Sequence, residues 1–520
     1  QKNHSKSYLY PLTIPILFAL FDYSKLTASL CYNFFTQTPP ILTIQKEKSM
    51  DSKFPHDKSK ENVDLFFEEI IQNTLKPLVE IEDDGSSSPA KLNNMLARLG
   101  EKGIEDAIAL VVDVCKERGI NTIDIQTWIG PQGVGKGAIA DTMKWVQKII
   151  KGEGNQLYET FSTKYGVDEN KITEIKEKSA TIPDTLDETL KKVFEIVANS
   201  NSDTIYTGTG GIFYPQGKEN PDKRYIPYIP QQAVTVPIVR EGFLVDEKWT
   251  SFLVTLEIAR SLLYGINSIE LDVFPRTMSQ ADYIKKRLLT SLKDKDITLN
   301  HKIIHIEPID KITTELIFEN PKGALDVYMK LGNIYMELSE TPEIHGYKEE
   351  DFNLLKALGI EDKNYDKEKT KLMVEGSEKM RETAVRIKST IRDLTGEFST
   401  ENLRRIGVGL SASAGTPLFR VANRLSTQGR KDDASLSKLF RRLSAYYSDT
   451  APVAIMNHAN IIYAGASDPE SQPDTNYLDA VEGTLKSLAT MVDVDYNFEN
   501  NTYNSLLDLT KELYLIRTSK

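Results

Sequence analysis

Apolar and polar positions alternate along this chain with two different periods, and each change of period marks the boundary of a predicted element. Residues 122–129 form an apolar, β-branched run that predicts a buried strand, and residues 138–150 repeat apolar positions at helical spacing. Further short apolar runs occupy residues 203–213, 268–274, 302–307 and 461–464. Because helical patterns separate these runs, we expect an α/β fold with a parallel sheet covered by helices on both faces.

The pattern also divides the chain into stretches. Residues 50–118 predict a helical N-terminal extension, with helices at 63–79, 91–99 and 105–118, that either docks a partner or covers one face of the sheet. The rest comprises a core over residues 119–310, a helical insertion over 311–429, the remainder of the core over 430–492 and a tail over 493–520. Within these stretches, Asp246 is expected to cap a helix, and the small residues of 407–416 predict a loop.

The first 49 residues have a different character from the rest. Lys2, His4 and Lys6 precede an apolar run at 8–21, an arrangement that resembles a signal peptide. The polar stretch that begins at Met50 is typical of a cytoplasmic N-terminus. We therefore expect residues 1–49 to be a leader or an upstream translated segment, and the protein itself to be cytoplasmic.

Composition narrows the classes of function for this chain of 520 residues. Its net charge of −11 argues against a general nucleic-acid binder, and we expect no membrane association. Only Cys31 and Cys115 occur, so there is no disulfide framework and no cysteine-based zinc site. The six histidines are scattered without metal-ligand spacing.

The strongest chemical signal is the glycine loop, residues 130–137 (GPQGVGKG), which lies between the predicted strand 122–129 and the helix 138–150. Its backbone N–H groups, the helix N-terminus and the Lys136 ammonium suit a phosphate group. The alternative is a glycine-rich turn with a solvated lysine. The predicted phosphate ligands are Gly130, Gln132, Gly133, Val134, Gly135, Lys136, Gly137 and Ala138.

Further motifs follow the glycine loop in a fixed order. These are YTG at 206–208, LVDE at 244–247, LDVFPRTMSQAD at 271–282, GRKDD at 429–433 and RRLSAYYSDTAP at 441–452. Together they resemble the adenylate kinase family over about half of the chain, in separated blocks. The resemblance implies a P-loop NTPase fold with three α/β/α layers. It also implies an ATP-dependent nucleoside monophosphate kinase that uses Mg²⁺, with the insertion standing in place of the lid.

The resemblance also implies roles for single residues. Arg276 would grip the acceptor phosphate and Gln280 would read the adenine, while Asp272 would hold Mg²⁺ through water. Arg430 and Arg442 would close on the phosphates. The remaining acceptor ligands would be Thr207, Gly208 and Val245. The alternatives are a surface arginine, a hydrogen-bonded strand-end aspartate and charged residues at a helix start.

Several positions depart from the family pattern. Ala138 replaces a threonine, Thr207-Gly208-Thr209 lacks the arginine expected soon after it, and Leu316 and Asn320 stand where arginines are expected. Arginines of the insertion could replace them, and the candidates are Arg404, Arg405, Arg420 and Arg424. Two other functions therefore stay open: a nucleotide-binding regulatory or structural protein, and a P-loop kinase for another small molecule.

Overall fold

The computed structural model describes residues 60–79, 89–197, 205–208, 245–272, 274–348, 353–412, 425–426, 435–457, 460–463 and 477–518. The expected leader, Arg430, Arg420 and Arg424 lie outside these residues.

Five strands form one parallel sheet in the order β2-β3-β1-β4-β5. They are β1 Thr122–Ile129, β2 Ile205–Gly208, β3 Ser268–Asp272, β4 Thr298–Glu307 and β5 Asn460–Tyr463. The predicted strands and their parallel pairing are confirmed, so the architecture is α/β. The chain leaves β1, the central strand, towards one edge of the sheet and leaves β4 towards the other. Ligands of such sheets bind at the carboxyl ends of the strands near this reversal.

Helices account for most of the remaining described residues. Up to β3 they are α1 Lys60–Val79, α2 Pro89–Arg118, α3 Lys136–Ile150, α4 Asn155–Tyr165, α5 Glu169–Ala180, α6 Ile182–Thr185, α7 Glu188–Val197 and α8 Glu247–Leu263. From β3 to the insertion they are α9 Met278–Asp282, a π-helical turn Tyr283–Leu288 and α10 Leu289–Lys293. The insertion holds α11 Lys311–Glu319, α12 Pro321–Glu340, α13 Leu354–Ala357, α14 Lys367–Glu375, α15 Glu378–Thr395 and α16 Glu401–Ala412, with 3₁₀ segments Pro342–His345 and Asp362–Asn364. The last are α17 Leu436–Ala445, a π-helical turn Tyr446–Thr450, α18 Ala451–Met456, α19 Tyr477–Val492 and α20 Asn501–Thr518.

The N-terminal helices cover part of one face of the sheet. Side chains of α1, α2 and α8 share a buried cluster with Ile125 of β1 and Ile269 of β3. Two separate helices were expected at 91–99 and 105–118, but α2 runs through both. A Cβ atom on Gly100 would lie 2.4 Å from the backbone nitrogen of Trp249 in α8, so this glycine permits close helix packing instead of ending the helix. The extension is therefore a layer of the core.

The helical insertion covers the rest of the same face. Ile129 and Ile303 of the sheet pack with side chains of α12, α16, α17 and α18 in a second buried cluster. The loop expected at 407–416 is wrong for its described part, because α16 continues to Ala412. A Cβ atom on Gly409 would lie 2.3 Å from Thr313 Oγ1 of α11, so a small residue lets these two helices approach.

The opposite face is covered by α3 to α7 together with α19 and α20. Trp128 of β1 and Ile304 of β4 point to this side and share a third cluster with these helices. Residues 493–520 were expected to form a tail outside the core. In the structure Leu506 and Leu513 of α20 are fully buried in this cluster. The stretch is thus part of the core.

Candidate functional site

The glycine loop begins directly after the central strand and ends at the first turn of α3. Gly133 and Gly135 have φ angles of 83° and 86°, in the left-handed region that favours glycine. Gly135 is the N-cap residue of α3, and it has no side chain to accept a bond from the first N–H groups of the helix. Val134 is buried beneath the loop and anchors it to the third cluster. The backbone thus presents a helix N-terminus of the kind that binds anions.

Lys136 lies in this loop and contacts its carbonyl groups. Its Nζ donates to Gly130 O at 2.8 Å and to Pro131 O at 3.4 Å. Both of these acceptors are neutral carbonyl oxygens. A phosphate group that enters the loop could replace them as a charged acceptor for the Lys136 ammonium. Gly130 holds the start of the loop against β4, because a Cβ atom there would lie 2.5 Å from Ile306 O. Any larger residue at position 130 must displace the loop or the strand.

The turn after β3 is a rigid structure with its own hydrogen bonds. We call residues 274–280 the proline turn; its Phe274–Pro275 peptide is cis. Thr277 caps α9 by accepting from the Gln280 N–H at 3.3 Å. Gln280 Oε1 in turn accepts from the Arg276 N–H at 2.7 Å. The Gln280 side chain is buried, and its carbonyl oxygen is used to hold the turn. Recognition of adenine by Gln280 therefore stays a prediction, and it would have to use the side-chain amide nitrogen.

Neighbouring strands hold the same turn from below. Thr127 Oγ1 of β1 donates to Phe274 O at 2.8 Å and lies 2.9 Å from His301 Nε2 of β4. Burial lowers the pKa of His301 to about 4, so its ring is neutral near pH 7. A hydroxyl with one hydrogen that donates to Phe274 must accept from the imidazole, which places the His301 proton on Nε2. The Thr127 hydroxyl thereby joins β1 and β4 to the proline turn.

Arg276 lies near an acidic side chain that comes from outside the turn. It lies close enough to Asp449, in the π-helical turn Tyr446–Thr450, to lower the pKa of that group. Burial and the neighbouring Glu247 act more strongly in the other direction, and the pKa of Asp449 is raised. Val245 is buried in the same cluster as Phe274, two residues before Glu247. Asp246, between them, caps α8 by accepting from the N–H of Lys248 at 2.8 Å, as expected.

The strand register aligns the predicted ligands at one edge of the sheet. Trp128 of β1 pairs with Asp272 of β3, and Asp272 pairs with Gly208 of β2. The glycine loop, the proline turn and the end of the YTG motif therefore follow from the same level of three adjacent strands. Thr207, Gly208 and Asp272 are placed here by their backbones.

The other arginines that were predicted to contact phosphate lie at different distances from the strand ends. Arg442 lies exposed on α17, which packs against α12. Arg404 donates to Phe398 O at 2.7 Å, and Arg405 pairs with Asp310 at 3.3 Å, three residues after β4. Of these, only Arg405 is placed near the carboxyl end of a strand by a described contact.

The positions that depart from the family pattern have structural tasks. Leu316 packs against the second cluster, and Asn320 caps α12 by accepting from the Gly323 N–H at 3.0 Å. Ala138 packs against the third cluster. None of the three supplies a cation, so the structure gives no substitute charge at these positions.

Sequence reasoning missed Thr127 and Asp449. Thr127 reads as one more β-branched strand residue, and its role depends on Phe274 and His301, which are 147 and 174 residues away. Asp449 lies inside the quoted motif RRLSAYYSDTAP, so the motif could have drawn attention to it. Its position opposite Arg276 depends on tertiary structure.

Comparison of the chain with protein-family models, with curated proteins and with solved structures finds no match. No helix in the described part of the chain combines the length and the apolar character needed to cross a membrane. The described residues contain no group of three or more His, Cys, Asp or Glu side chains that could hold a metal ion.

Proposed function

We propose that this chain is an ATP-dependent nucleoside monophosphate kinase of the adenylate kinase type, built on a P-loop NTPase fold and acting in the cytoplasm. It would transfer the γ-phosphoryl group of ATP to AMP or a related monophosphate. An oxygen of the acceptor phosphate attacks the γ-phosphorus, the bond from that phosphorus to the β–γ bridging oxygen breaks, and ADP leaves. The products are ADP and a nucleoside diphosphate.

The observation that carries the proposal is the register of three parallel strands, in which Gly208 and Asp272 end their strands level with Trp128, one residue before the end of β1. A loop suited to phosphate follows one of these strands, and a rigid turn that carries Arg276 follows its neighbour. Phosphoryl transfer needs two phosphate chains held in line and positive charge around the transferred group. Lys136 and the glycine loop would hold the donor, and Arg276 would hold the acceptor.

Magnesium fits this arrangement as an ion held mainly by the substrate. Mg²⁺ keeps several waters and is commonly bound through one or two carboxylates together with phosphate oxygens. Asp272, at the end of β3, provides one carboxylate residue next to the glycine loop. When bound, the ion would neutralise charge on the phosphates, while Ala138 provides no hydroxyl for it.

A direct assay tests the proposal. The full-length chain is incubated with Mg²⁺, ATP and each nucleoside monophosphate in turn, and ADP is measured by chromatography. We expect ADP formation that depends on one monophosphate and is lost in Lys136→Ala, while Lys151→Ala at the other end of α3 leaves it unchanged. No ADP with any monophosphate would refute the kinase.

A second function is favoured by a different observation. Arg404 and Arg405 are engaged by Phe398 O and Asp310, and Ala138, Leu316 and Asn320 bring no replacement charge. A protein of this kind would bind ATP as a regulatory ligand without transferring its phosphate. ATP binding at Lys136 together with no turnover in the assay above would select this function.

A further inference from the structure

A group of polar side chains is buried where the helical insertion meets β4. We call it the polar chamber, and it consists of His305, Glu307, Tyr328, Tyr335 and Tyr446. Each side chain is 5% exposed or less, and His305 and Glu307 are fully enclosed. The first two belong to β4, the next two to α12, and Tyr446 opens the π-helical turn Tyr446–Thr450. The chamber is thus closed to bulk solvent.

Part of the polar chamber is satisfied internally. Tyr446 donates its hydroxyl to Glu307 Oε2, and His305 Nε2 lies 2.5 Å from the Tyr446 oxygen and 3.1 Å from the same carboxylate oxygen. Because the Tyr446 hydrogen is given to Glu307, its oxygen accepts from His305. Hydrogen bonds among these groups therefore satisfy Glu307 Oε2, the Tyr446 hydroxyl and His305 Nε2.

The rest of the polar chamber is not satisfied by the described residues. Glu307 Oε1, His305 Nδ1 and the hydroxyls of Tyr328 and Tyr335 are buried without a hydrogen-bond partner among them. Burial and the nearby Glu307 charge raise the pKa of both tyrosines, which therefore keep their hydrogens. A buried polar group without a partner is costly, and native proteins rarely leave several together. These atoms indicate a bound species.

The chemistry of these atoms defines that species. Glu307 Oε1 can only accept, whereas the two hydroxyls must also donate if their hydrogens are to be satisfied. A cation would serve the oxygen lone pairs and leave both hydroxyl hydrogens unpaired. An organic ligand would need an opening that the enclosed side chains do not provide. Water both donates and accepts, and it binds in buried sites that offer two to four polar partners.

We propose that the polar chamber is an internal water site, in which at least one enclosed water donates to Glu307 Oε1 and accepts from Tyr328 or Tyr335. The site fastens the helical insertion to β4 beside Ile306, whose carbonyl lies against Gly130. It also supports the turn that carries Asp449. It does not depend on the proposed kinase activity, since it rests on packing alone.

The sign of a stability change tests the proposal. If an enclosed water accepts from one of the two tyrosine hydroxyls, at least one of Tyr328→Phe and Tyr335→Phe lowers the urea midpoint of unfolding by a few tenths of a molar. In a dry chamber the same variants remove an unsatisfied hydroxyl and raise the midpoint. Tyr503→Phe is the matched control, because its buried hydroxyl also has no described partner but lies in the third cluster, away from the chamber.

A crystal structure of the full-length chain at high resolution identifies the occupant. We expect a solvent peak within hydrogen-bond distance of Glu307 Oε1 and of one tyrosine hydroxyl. Crystals grown with rubidium salts provide the cation arm, and an anomalous peak in the chamber would overturn water in favour of an ion. An empty chamber, or a side chain from outside the described residues filling it, would also overturn the proposal.

Discussion

The glycine loop and the proline turn lie side by side at one edge of the sheet, but they hold their polar groups in opposite ways. In the loop, Lys136 donates to carbonyls of its own backbone, and Gly135 brings no side chain to the helix N-terminus. In the turn, Thr277, Gln280 and Thr127 bond to the groups around Arg276. The loop therefore keeps groups that a phosphate can take over, whereas the turn is fixed before any ligand arrives.

The proline turn also has acidic neighbours. Arg276 lies near Asp449, and Asp449 lies near Glu247. A phosphate that approaches Arg276 must overcome repulsion from these carboxylates, which should weaken binding of the acceptor. Mutations in the glycine loop should therefore weaken ATP binding, whereas mutations in the proline turn should weaken binding of the monophosphate.

The largest effect is expected at Lys136. Replacing it with alanine removes a charge-assisted contact to phosphate, and we expect the Kd for ATP to rise by about 10- to 100-fold. Calorimetric titration of ATP measures this change. Lys151→Ala, at the exposed C-terminal end of α3, is the control and should leave the Kd unchanged. An equal effect of both substitutions would mean that only general charge attracts ATP.

Two glycines of the same loop should respond differently. A Cβ atom on Gly130 meets the Ile306 carbonyl at 2.5 Å, whereas one on Gly137 has no atom within 4 Å. We expect Gly130→Ala to lower the free energy of unfolding by about 2 kcal/mol, and Gly137→Ala to be neutral or slightly stabilising. Urea unfolding followed by circular dichroism distinguishes the two. A stable Gly130→Ala protein that still binds ATP would contradict the close contact.

Thr127→Val tests the rigidity of the proline turn. The substitution keeps the shape but deprives Phe274 O and His301 Nε2 of their shared partner, at a cost of about 1 kcal/mol in stability. We expect the KM for the monophosphate to rise and the Kd for ATP to stay unchanged. Thr142→Val is the control, because that buried hydroxyl bonds only to Ala138 O within its own helix. Weaker ATP binding in Thr127→Val would show that the two regions are not independent.

The smallest effect is expected at Asp449. Asp449→Asn removes one negative charge from beside Arg276, so the acceptor should bind several-fold more tightly. In the unmodified protein, acceptor affinity should rise as the pH falls through the raised pKa of Asp449, because protonation removes the same charge. Kinetic measurements across pH test both effects, and Asp508→Asn on the exposed side of α20 is the control. A pH profile that persists in Asp449→Asn would exclude this carboxylate as its cause.

Local patterns were sufficient for much of the fold. The apolar runs at β1, β3, β4 and β5 and the cap at Asp246 depend on residues within one element, and the structure confirms them. Where the helix boundaries differ from the prediction, a contact with a residue distant in the sequence explains the difference. The glycine at 100 ends no helix because α8 packs against it, and α16 extends to Ala412 because Gly409 packs on α11.

The local motifs of the candidate site were also predictable from the sequence, but their tertiary partners were not. The glycine loop and the proline turn each lie within a dozen residues, so their motifs stand out in the sequence. Their alignment depends on the register of β1 with β3, and the partners of Arg276 and Phe274 come from other strands and helices. The polar chamber could not be predicted from the sequence, because Glu307 and Tyr446 are 139 residues apart.

The central claim is that the glycine loop and the proline turn form the two halves of one site. Calorimetry with a bisubstrate analogue, two nucleosides joined through a polyphosphate chain, tests it most directly. If both halves bind the same molecule, the analogue should bind far more tightly than ATP, and Lys136→Ala and Arg276→Ala should each weaken it. An affinity no greater than that of ATP, unchanged by Arg276→Ala, would contradict the two-nucleotide site.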